Sequence, residues 1–103
     1  MKQRISVEQY KELSELAKRK LEIWCEEKRY GAEIDGDFIP AVQLSIGEMI
    51  EFLDEEYGSW YMESWQDWHI ISTQNNKDLL LAKENELVDA LWKATSEILE
   101  RSN

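Results

Sequence analysis

The spacing of apolar residues changes along this chain, and that change limits the folds open to it. Tyr10, Leu13, Leu16, Ala17, Leu21 and Trp24 recur every three or four positions, which lines one stripe of an α-helix. Ile46, Met49, Ile50, Leu53 and Tyr57 repeat the pattern, as do Leu87, Val88, Leu91, Trp92, Thr95, Ile98 and Leu99. Between the second and third stripes, Ser59 to Trp65 and Trp68 to Thr73 are rich in aromatic and β-branched residues, the composition of strands. The order helix, helix, strands, helix predicts an α+β domain with two N-terminal helices. A short antiparallel sheet of two or three strands follows, with a C-terminal helix packed on it. The 103 residues suffice for a single domain, 1–103, with a core that needs neither metal nor disulfide.

Local signals set the expected boundaries. Ser6 with Gln9 forms a capping box for the first helix. Lys28 and Arg29 suit its last turn, and Gly31 offers a left-handed stop. Ala32 to Leu44 reads as irregular, with Asp35-Gly36 able to close a small hairpin and Pro40 barring a long element. Ser45 with Glu48 caps the second helix, Leu44 with Met49 can staple it, and Gly58 ends it. Asp54, Glu55 and Glu56 sit at that helix's C-terminal end, where each anion costs a few tenths of a kcal/mol, on the order of 0.3. Gln66-Asp67 is the expected turn between the strands, and Asn75-Asn76 a second turn. Asp78 to Ala82 reads as a third strand, with the first turn of the last helix as the alternative. That helix is expected from Glu84 to Glu100.

Charge is distributed unevenly. Ten of the 22 acidic residues lie between Tyr30 and Asn76, and all 12 basic residues lie elsewhere. The formal charge of −10 therefore belongs to the middle of the chain. Eight of the eleven aromatic residues fall in the same stretch. Carboxylates mixed with rings are the chemistry of a surface that meets a basic partner; acidity kept only for solubility is the plainer alternative. A pI near 4.5 opposes direct binding to nucleic-acid phosphates or to anionic membranes. The N-terminus has Lys2 and Arg4 but no apolar run behind them, so no signal peptide is expected. No stretch is long enough to span a membrane. The single cysteine, Cys25, fits a reducing cytoplasm.

Catalytic and metal constellations are sparse. One histidine, His69, is too few for a zinc site of the usual kind. A Cys25–His69 dyad is formally open, but Cys25 lies beside a buried stripe, where thiols are inert. No glycine-rich phosphate loop exists. Glu33, Asp35 and Asp37 alternate as calcium ligands do, yet Leu44 stands where an EF-hand needs glutamate. Glu63 and Asp67 with Trp65 and Trp68 suggest a sugar cleft, which a chain this short rarely holds. No enzyme activity and no cofactor are expected.

Within one strand Trp60 and Trp65 point to opposite faces, and Tyr61, Glu63 and Trp65 share one. Tryptophan's usual burial tips the expectation toward a bend that hides both indoles. If one stays exposed, Trp65 and Tyr61 are interface anchors.

Two segments carry a resemblance. Leu44 to Leu53 reads L-S-I-G-E-M-I-E-F-L, and Glu86 to Ala94 reads E-L-V-D-A-L-W-K-A. They resemble "L-T/S-I-G-x-M-I-E-F-L" and "E-L-x-D-A-L-W-x-A" segments of small uncharacterised proteins from Firmicute phages and prophages. Val88 stands where the second motif often has cysteine. The resemblance implies an accessory role on a mobile element and no particular activity.

Together these observations predict a non-enzymatic protein that binds a basic host or phage protein. Glu51, Asp54, Glu55, Glu56, Tyr61, Glu63, Trp65 and Asp67 are the expected binding residues. A counter-defence inhibitor, such as an anti-CRISPR, is the sharpest form. An immunity protein against a toxin nuclease and a small-ligand binder with a tryptophan pocket are the alternatives. Self-association is left open.

Overall fold

The computed structural model describes residues 3–73 and 78–101. Its elements are α1 (Val7–Lys11), α2 (Glu15–Lys28), β1 (Gly31–Ile34), β2 (Asp37–Pro40), α3 (Ile46–Tyr57), β3 (Trp60–Trp65), β4 (Asp67–Ser72), β5 (Leu79–Glu84) and α4 (Leu87–Glu100). The α+β class holds, with the C-terminal helix α4 packed on β4 and β5. The expected turn at Asn75-Asn76 lies outside the described residues.

The first expected helix is in fact two. Ser6 and Gln9 form their capping box, but α1 ends after Lys11. Ser14 then caps a new helix, its hydroxyl accepting from the Ala17 amide at 3.1 Å. The stripe hid this break because its spacing continues across it. The restart moves Leu16 outward, to 61% exposure, and α2 instead buries Ala17, Leu21 and Cys25 at four-residue spacing. Arg29, with φ of 63°, supplies the left-handed stop assigned to Gly31. Gly31 is needed for a different reason. A Cβ there would overlap the Ile39 carbonyl and the Phe38 ring across the β1–β2 hairpin.

That hairpin turns at Asp35 and Gly36, whose φ of 52° and 85° are the two left-handed positions an Asp-Gly pair favours. Ser45 and Glu48 cap α3 reciprocally, at 3.2 and 2.8 Å, and Gly58 ends it with φ of 70°. The third strand, expected over Asp78 to Ala82, runs from Leu79 to Glu84, so α4 begins at Leu87, three residues later than Glu84. A bulge between Ile70 and Ile71 sets Ala82 and Leu80 opposite them and leaves Leu81 without a partner.

The three-stranded sheet has the order β3-β4-β5, antiparallel throughout. One face carries Met62, Ile70 and Ala82 in a row and packs into the core with Trp60 and Trp68. Leu21, Cys25, Met49, Leu53, Val88 and Leu91 complete that core from the helices. Fixing Ile70 between α4 and the flanking strands sends every odd-numbered residue of β3 and β4 to the opposite face.

Candidate functional site

The second face of the sheet is built from three cross-strand rows. Trp65 lies beside Asp67; Glu63 beside His69 and Lys83; Tyr61 beside Ile71 and Leu80. Trp65 is 62% exposed, Leu80 54% and Tyr61 38%. Ile71 and His69 are buried beneath them, yet Ile71 is not part of the main core. The neighbouring side chains therefore form a small apolar cover of their own.

Trp65 is held at two points. Its ring stacks on His69, with centroids 5.0 Å apart and planes within 15°. Its indole N–H donates to Glu63 at 3.1 Å. This preorganised ring corrects the expectation that a bend would hide both indoles. Trp60 turns inward and Trp65 does not. Tyr61 donates its hydroxyl to Asp78 at 3.3 Å, and burial with the nearby Asp78 and Glu63 charges pushes that hydroxyl's pKa up. Glu63, Asp67 and Asp78 thus ring the aromatic pair, with Lys83 the only basic side chain in the rows. The imidazole Nδ1 of His69 is buried without a hydrogen-bond partner among the described residues.

The other four expected binding residues lie on α3, and three of them are engaged within the fold. Tyr30 donates to Glu51 at 2.7 Å, which pushes the phenol up to about 12. The Trp60 indole donates to Asp54 at 2.6 Å. Glu55 pairs with Lys28 and accepts from the Trp24 indole at 3.1 Å, and both contacts lower its pKa. Glu51 and Glu55 therefore face Tyr30, Trp24 and Lys28 rather than the sheet's second face. Asp54 meets the start of β3 through Trp60. Glu56 lines a groove of about 270 Å³ between α2, α3 and α4, floored by Trp24, Phe52, Ile98 and Leu99. The eight residues do not form one patch: Tyr61, Glu63, Trp65 and Asp67 cluster, and the α3 carboxylates stand apart.

Sequence reasoning missed Ile71, His69, Leu80, Asp78 and Lys83 as members of this face. The period-2 parity of β4 would have placed His69 and Ile71 there. The bulge that positions Leu80 left no signal.

Trp68 packs inward while Trp65 points outward, so the two do not flank a common sugar cleft. Cys25 is fully buried on α2, its thiol pushed up to about 12 by burial, and His69 lies across the sheet beneath Trp65. Glu33 pairs with Arg29 at 3.0 Å. Among the described residues no three carboxylate, thiol or imidazole groups converge as a metal site. No helix among them is long and apolar enough to cross a membrane. A cleft of about 520 Å³ between α1 and α4 is lined by Glu8, Glu12, Glu84 and Asp89 above Trp92.

No family model, curated protein or solved structure matches this chain.

Proposed function

We propose that this chain is a non-enzymatic binding protein that docks a basic partner protein through the second face of its three-stranded sheet. The observation that carries this reading is the exposed, pre-positioned Trp65 ring, flanked by Glu63 and Asp67. Exposed aromatic residues anchor interfaces, and surrounding carboxylates steer a cationic surface toward them. The resemblance of Leu44 to Leu53 and of Glu86 to Ala94 to phage segments supplies the setting. It favours an accessory inhibitor of a nucleic-acid-handling enzyme, such as a CRISPR effector, that occupies a basic groove. An immunity protein against a basic nuclease would use the same surface, and neighbouring genes separate the two.

The test is affinity capture from the native host at low salt and at about 0.5 M salt, where exposed charges are screened within a few ångströms. The Glu63→Lys, Asp67→Lys double variant runs in parallel, with its fold checked by circular dichroism. A partner held at low salt, released at high salt and lost to the double variant supports the reading. A partner that the double variant retains at low salt refutes it.

A further inference from the structure

The backbone of β3 suggests how such a partner would be held. Thr73 donates its amide to the Ser59 carbonyl at 3.2 Å, which fixes the hydrogen-bonding parity of the β3–β4 ladder. The backbone groups of Tyr61 and Glu63 therefore face β4, and those of Trp60, Met62 and Ser64 face away from it. β3 is an edge of the sheet, and no strand among the described residues lies on its far side. The two edges are not alike. β5 carries Lys83 and a bulge, both of which discourage pairing. β3 reads W-Y-M-E-S-W, six residues with no lysine, no proline and no bulge.

We infer that the outer edge of β3 takes up an extended segment of the partner by antiparallel strand addition, and that this segment carries Lys or Arg at alternate positions. The inference rests on the binding role proposed above and adds its geometry. A strand laid against Trp60, Met62 and Ser64 sends every second side chain to the second face, beside Tyr61, Glu63 and Trp65. There its cations meet Glu63, and Trp65 offers a ring for the aliphatic stems. Charge decides the occupant. Neither β3 nor β4 carries a Lys or Arg, so a basic segment laid on this edge meets Glu63 first, with Lys83 two strands away on β5. A second copy would bring together two chains of net charge −10 and set each Glu63 near its twin.

Residue-resolved amide hydrogen exchange on the full chain tests this, with a blocked octapeptide of alternating Lys and Val as the probe. In the free protein the Trp60, Met62 and Ser64 amides exchange quickly, while those of Tyr61 and Glu63 are protected by β4. The peptide is expected to slow the first set by about tenfold at saturation and to leave the second unchanged. Ser64→Pro removes an outward N–H at an edge position where proline is tolerated, and should weaken peptide binding about tenfold. Peptide binding that shifts the Trp65 and Tyr61 ring signals without protecting the edge amides overturns strand addition and leaves the binding face standing. Absence of peptide binding at low salt also overturns it, while the capture experiment reports separately on the face. Edge protection that grows with the concentration of this protein alone assigns the edge to a second copy and overturns the basic occupant.

Discussion

The electrostatic character of the Trp65 site is open to a direct optical test on purified protein. Trp65 is 62% exposed, Trp92 is buried, and Trp24, Trp60 and Trp68 are half-buried against the core. Collisional quenching by small ions should therefore report mainly on Trp65. The Glu63 carboxylate accepts the indole N–H at 3.1 Å, so it lies beside any ion that touches the ring. At about 7 Å in water, one unit charge acts on another with about 0.6 kcal/mol, near RT. Screening at 0.1 M salt roughly halves this, since the Debye length is about 10 Å. Caesium is then enriched and iodide depleted at the ring, and their local concentrations differ about threefold. The assay compares Stern–Volmer slopes for both ions, each normalised to free N-acetyltryptophanamide. Trp65→Phe isolates the contribution of this one ring by difference. The expected result is a caesium slope about three times the iodide slope for the Trp65 component. Equal normalised slopes would refute an acidic surround, and an unchanged accessible fraction in Trp65→Phe would refute the exposure itself.

Three further outcomes follow from the fold. Thr95 is fully buried and its hydroxyl has no hydrogen-bond partner among the described residues, so Thr95→Val should raise unfolding stability by about 1 kcal/mol in urea titration. Cys25, buried and shifted up to about 12, should resist thiol reagents in the native protein at pH 8 and react on unfolding. Glu55 and Glu100 have pKa values lowered by their hydrogen-bond donors, Lys28 and Trp24 for the first and Ser14 for the second. A carboxylate lowered on folding stabilises the native state above its ordinary 4.5 and loses that contribution as pH falls through the folded value. Stability should therefore decline with acid below about pH 4.5, and Glu55→Gln should flatten part of that limb in pH-dependent denaturation.

Much of the architecture was legible because local chemistry and tertiary packing agree. Ser45 with Glu48, Asp35 with Gly36, and Gly58 each do in the fold what their residue types prescribe. The break after Lys11 was not legible, since Ser14 reads as one more polar residue until its hydroxyl is seen to accept from Ala17. Strand parity put Tyr61, Glu63 and Trp65 on one face, and the register confirms that grouping. Which face the helices cover is a tertiary choice, so the exposure of Trp65 could not be read from spacing. The α3 carboxylates mislead for a related reason. Their donors, Trp24, Tyr30 and Trp60, lie on other elements or in a connecting segment, and no local pattern announces such pairs. Two of these pairs account for anions at the wrong end of a helix dipole, because Asp54 and Glu55 each gain a donor there.

Those three pairings also bear on redesign. Lysine swaps at positions 51, 54 and 55 would do more than erase negative charge: they would loosen α3 from α2, from Tyr30 and from β3 together. Glu56, Glu63 and Asp67 are the positions where acidity can be tuned with less damage to the scaffold, and Glu63 and Asp67 are the ones that touch Trp65's surroundings. An engineer wanting to change the charge of this face should spare Glu51, Asp54 and Glu55 and work on Glu63 and Asp67, the two carboxylates of the β3–β4 hairpin.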